Sequence, residues 1–170
     1  MIDRSTALDL WRDWRVSIIL LPLCIYSVVE REDYGLLDNA DLLVHEAGHF
    51  FFGFFGQFIR VAGGTLMQIA LPSLLVWHFL RHSYRTGAQI SMYWLGHNFL
   101  NISVYAADAR ARLLPLLGGN RSGHDWHYLL GRTGLLEHDD VVGYFFVALA
   151  ILTFLLLLIM PWFVQQKEQP

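Results

Sequence analysis

The chain reads as an all-α polytopic membrane helix bundle, and three observations predict it. Of 170 residues, 55% are apolar and 15% aromatic, with positive mean hydropathy. The apolar residues gather into stretches of bilayer length, about 20 residues each for ~30 Å of hydrocarbon. No polar stretch is long enough to make a separate soluble domain, so residues 1–170 form a single integral membrane domain.

Taken in order, the first apolar run, Val16 to Val29, follows Arg4, Arg12 and Arg15 and is interrupted by Pro22. It resembles a signal peptide superficially, but Glu30-Arg31-Glu32-Asp33 follows it in place of a small-residue cleavage site, so it is retained. Being short, it spans only if Trp11 and Trp14 lie in the interface and Arg15 snorkels; otherwise it is a surface or re-entrant helix. The next runs, Ala40 to Ile59, Val61 to Leu80, Ala88 to Ala107 and Val141 to Val164, are each long enough to cross. Five transmembrane helices are expected, with four as the alternative. If the spans alternate, one side collects eight Arg and Lys and the other four, which puts the N-terminus and the segment from Asp108 to Asp140 together in the cytoplasm. Residues 40–112 make the core, and 113–140 a cytoplasmic loop or fold-back segment around the turn-rich Gly118 to Gly123.

The formal charge of -3 and pI near 6.2 leave no basic surface for a phosphate backbone, so nucleic acid is not an expected partner. Cys24 stands alone, which excludes an intrachain disulfide and a thiolate metal cluster. Any metal must be held by His and carboxylate.

A His-Glu-x-x-His motif, His45-Glu46-Ala47-Gly48-His49, lies inside the second apolar run. Residues four apart share a helical face, so His45 and His49 can offer two imidazoles to one Zn2+ while Glu46 sits beside it as general base. Ionisable groups at such depth are costly, and a bound cation would compensate them. A catalytic zinc takes a third protein ligand and keeps a position open for water. Asp108, His97 and the cluster His124-Asp125-Trp126-His127 are the candidates. His97, Asn101, Tyr105 and Asp108 recur at helical spacing and form one polar stripe, but ~16 Å of straight helix separates its ends, so His97 and Asp108 cannot serve the same ion. Equal depth in parallel spans favours His97. His124 and His127, with Asp125, could ligate or orient ligands if their segment folds back. His78 and His82 flank Arg81 near a span end and suit an interface, and His138 between acidic neighbours suits solvent. Gly48, Gly53 and Gly56 permit close helix packing, and the six phenylalanines from Phe50 to Phe58 are lipid-facing or packing bulk.

The His45-Glu46-Ala47-Gly48-His49 motif in an apolar helix, followed by Ala62-Gly63-Gly64 and a downstream Asn and Asp, resembles the site-2 protease class of intramembrane zinc metalloproteases. The resemblance covers about Ala40 to Arg112. It implies a third ligand from an aspartate on a later helix, for which Asp108 with Asn101 is the nearest match, although Ala109 follows where the family has Gly. It also implies that the substrate is a transmembrane or membrane-proximal protein segment cleaved where it is locally unwound. In that chemistry Glu46 takes the proton of water and returns it to the leaving amine, and Asn98 or Asn101 could donate to the oxyanion. Two other readings remain. In one, three histidine pairs faintly resemble the boxes of membrane di-iron desaturases and hydroxylases; in the other, a metal merely staples a non-catalytic membrane scaffold.

Overall fold

The computed structural model describes residues 4–115 and 123–164, and every regular element among them is helical. Most of the turn-rich Gly118 to Gly123 patch lies outside the described residues. Six α-helices follow one another: α1 (Arg4–Val29), α2 (Leu36–Phe51), α3 (Gln57–Arg81), α4 (Arg85–Ala107), α5 (Asp125–Thr133) and α6 (Asp139–Ile159). Two helical stretches, Gln57–Arg81 and Leu136–Trp162, are long and apolar enough to cross a membrane.

The core is built on α4. It packs along α6, where Gly96 lies under the Phe154 ring and Gly143 lies against Ala107, contacts too close for any larger residue. Leu100, Ile102, Ala150, Phe154 and Leu157 fill the seam. On its other flank α4 meets α3, which in turn crosses α2 at glycine. A Cβ on Gly48 would come within 2.1 Å of the Gly63 carbonyl oxygen, so only paired glycines allow this approach.

The expected helix from Ala40 to Ile59 is broken. Helix α2 ends at Phe51, a single 3-10 turn covers Gly53–Phe55, and Gly56 adopts φ +88, a left-handed conformation that glycine tolerates, before α3 begins. The chain therefore turns back sharply, and Phe50, Phe51, Phe54 and Phe55 project from the hairpin tip, exposed.

A second departure concerns direction. Asp13 meets Arg85, Ser17 meets Gln89 and Ser27 meets Tyr93, so α1 runs parallel to α4. The pairs His45 with Gln68 and His49 with Arg60 make α2 antiparallel to α3. The pairs Gln68 with Asn101 and Phe79 with Gly87 make α3 antiparallel to α4. Helices α1 and α2 thus run the same way, joined by residues 30–35 partway along the bundle instead of by a reversal at its end. Asp13 sits at the start of α4, whereas Asp139 binds Arg110 just beyond the end of α4. Asp13 and the Arg110–Asp139 pair therefore lie at opposite ends of the bundle, and the charge count built on strict alternation does not carry over.

Candidate metal centre

His45 is buried and His49 partly exposed, both on the α2 face that turns toward α3. Gly64 makes room for His45, because a Cβ there would fall 2.4 Å from its ring. The third member comes from α5. Asp125 Oδ2 lies 2.9 Å from His45 Nε2 and 3.1 Å from His49 Nε2, and the three side chains are spaced as the ligands of one ion.

The proton positions decide what this cluster can do. His49 Nδ1 lies 2.8 Å from the Arg60 carbonyl oxygen, an acceptor, so that nitrogen carries the hydrogen. His45 Nδ1 lies 2.8 Å from Gln68 Oε1 and donates likewise. In the neutral rings both Nε2 atoms are therefore lone pairs, and they converge on one carboxylate oxygen. Such an arrangement is repulsive unless two extra protons or one cation sit among the three atoms, and a divalent ion replaces both protons at once. The donor set of two imidazoles and one carboxylate suits zinc. Burial works against ionisation of Asp125, and the carboxyl is held below its ordinary value only where His45 and His49 also carry protons at Nε2 and donate to it.

Asp125 is set in place by the stripe on α4. Its backbone N–H donates to the Tyr105 hydroxyl at 3.0 Å. His124 caps α5 by accepting the His127 N–H at Nδ1, which leaves Nε2–H to donate to Asp108 at 3.3 Å. Burial lowers the His124 pKa, in keeping with that neutral form. His127 Nδ1 donates to the Ala109 carbonyl.

These contacts revise the expected ligand set. Asp108 is not with His45 and His49; its carboxylate accepts the backbone N–H of Leu113 and of Leu114 and holds His124. His124 is occupied in the same way. His97 Nδ1 is 2.8 Å from Asp41, in a separate cluster. Asp125, one of the residues expected either to ligate or to orient ligands, is the one that stands with His45 and His49. Asn98 is buried against Asp41 and the Trp94 carbonyl, and both ends of the Asn101 amide are bonded, to Asp38 and to Gln68. Both amide hydrogens of Asn98 are thereby taken, and Asn101 is held on its Asp38 and Gln68 side. His78 and His82 stack at 4.4 Å at the far end of α3, ~27 Å along the helix from Arg60, so the three histidine pairs do not meet. His138 is exposed.

A cavity of about 820 Å³ opens onto the cluster, with Glu46, His49, Tyr105 and Asp125 among its walls, and Arg31, Glu32 and Tyr34 from the α1–α2 break. Glu46 thus meets an open cavity and not packed hydrocarbon, which removes the cost that a buried carboxylate would carry. Irregular backbone at membrane depth is tolerated where it lines such a cavity. Sequence reasoning missed Gln68 and Asp38 altogether. The signal available was that both are polar residues at helical positions inside or beside apolar runs. No protein-family model matches the chain, and comparison with curated proteins and with solved structures finds no match.

Proposed function

We propose that this protein is a zinc-dependent membrane peptidase with a multi-pass bundle, in which His45, His49 and Asp125 hold the metal and Glu46 is the general base. The observation that carries the reading is the convergence of two imidazole Nε2 atoms and one carboxylate oxygen at the wall of an open cavity, with Glu46 one residue from His45 and facing the same space. Zinc held there supplies Lewis acidity, which activates water near neutral pH and polarises a carbonyl.

The chain's own groups divide the remaining work. Glu46 accepts a proton from water and delivers it to the leaving amine. Tyr105 takes the place once expected for the asparagines. Its oxygen accepts the Asp125 N–H, so its own O–H can point into the cavity and donate to a developing oxyanion. The cavity admits an extended segment, consistent with a membrane-embedded protein substrate that must unwind locally before its carbonyls become accessible. α3 and α6 anchor the protein in the bilayer, and α4 lies beside them, while α1 and α2 each cover part of its depth with their polar faces turned inward or toward the cavity.

Reconstitution in liposomes with single-span reporter proteins carrying a Gly- and Pro-destabilised stretch tests the reading. The wild type cleaves the reporter, whereas Glu46→Gln retains its zinc and loses cleavage by at least about 100-fold. Equal cleavage by Glu46→Gln, or a purified wild type without metal, would contradict it.

A further inference from the structure

Beyond the ligands lies a chain of hydrogen bonds whose direction is fixed from end to end. It begins at Asp38 Oδ1, a carboxylate oxygen that can only accept, and takes the Asn101 Nδ2–H at 2.9 Å. Asn101 Oδ1 is then the acceptor for Gln68 Nε2–H at 2.9 Å. Gln68 Oε1 faces His45 Nδ1 at 2.8 Å and takes its proton. Gln68 and His45 are nearly inaccessible, at 1% and 5% exposure, so water does not compete for the inner links. The far end is pinned as well, because Asp38 Oδ2 accepts the Gly35 backbone N–H at 2.7 Å where α2 begins.

We infer that Asp38, Asn101 and Gln68 form a polarity relay that locks His45 in the tautomer with Nε2 bare, making them positioning residues for the metal ligand. Reversing either amide would set like against like, two oxygens at one end and two N–H groups at the other, so the buried carboxylate dictates the orientation of every group up to the imidazole. The relay conducts no proton. It orients the ring and raises its basicity, the work that a carboxylate in direct contact with a ligating histidine does elsewhere. Helices α2, α3 and α4 each contribute a link, so the site is tied to the packing of all three.

The inference rests on the zinc reading, and its test separates the two. Zinc affinity is measured by competition with a chromophoric chelator on the purified full chain in detergent, and ligand geometry by the visible absorption of the cobalt-substituted protein. Gln68→Leu weakens zinc binding about 10–100-fold and distorts the cobalt spectrum. Asn101→Asp, which sets a carboxylate against Asp38, does the same. The double variant Asp38→Asn with Asn101→Asp restores both readouts, because the amide introduced at position 38 can donate to the new carboxylate and still accept from Gly35, leaving the direction at His45 unchanged. A merely structural role predicts no such rescue. Wild-type affinity in Gln68→Leu and Asn101→Asp, or a double variant no better than Asn101→Asp alone, would overturn the relay while leaving the zinc site standing. A wild type that binds no zinc would overturn both.

Discussion

Two clusters of histidine and aspartate sit on neighbouring turns of α2, and they are built to opposite ends. Around Asp41 every contact is a donor meeting an acceptor. Trp94 Nε1 and Asn98 Nδ2 reach one carboxylate oxygen at 2.7 and 3.1 Å, and His97 Nδ1 reaches the other at 2.8 Å. The carboxylate is fully buried and its charge is already shared among three neighbours. Around Asp125 the histidine protons are directed away, to Gln68 and Arg60, and lone pairs are left facing one another beside a cavity. Both groups, Asp41 and His97 together with Asp38 and the set around Asp125, have ligand atoms within 4.8 Å of one another, close enough to hold an ion. What separates them is where the protons go: the hydrogen bonds to Asp41 tie α2 to α4 with the histidine in its neutral form, whereas the Asp125 cluster needs either extra protons or a cation among its three atoms.

That contrast can be broken by substitution. The largest effect is expected from His45→Ala and Asp125→Ala, each of which takes zinc from about one ion per chain to almost none, read by elemental analysis, with helix content by circular dichroism unchanged. Asp41→Asn should do the reverse. It leaves buried donors without acceptors at about 1–3 kcal/mol each, lowering the thermal midpoint in detergent by several degrees while zinc per folded chain persists. A smaller change is expected from Asp108→Ala. The loop to α5 loses its anchor, and zinc affinity falls roughly 10-fold in chelator competition, far less than with Asp125→Ala. Least of all, His78→Ala with His82→Ala should alter neither zinc content nor midpoint, since that pair lies exposed at the far end of α3.

The histidine pair on α2 was legible because one helical turn brings His45 and His49 together whatever the tertiary fold does. The third was not, because Asp125 lies 80 residues from His45 and arrives through a short helix whose placement depends on Asp108, Tyr105 and His124. Tyr105 and Asp108 belong to the polar stripe on α4 and His124 to the cluster after it; Asn101 and Tyr105 line the cavity, whereas His97 turns to Asp41. Asp108 has a carboxylate at a plausible spacing, yet it sits at the end of α4, where the orphan N–H groups of the next turn claim it. Helix positions were readable from hydropathy, but direction was not. The acidic and basic residues at 30–33 look like a loop outside the membrane, and a cavity partway along the bundle accommodates them equally well. The apolar run through Phe50 to Phe58 hid a reversal that depends on the backbone freedom of Gly56 more than on polarity.

The most direct test is zinc per folded chain measured side by side in the wild type, Asp125→Ala and Asp41→Asn. The account predicts about one, almost none and about one. A metal-free wild type, or zinc that survives Asp125→Ala and disappears with Asp41→Asn, would contradict it.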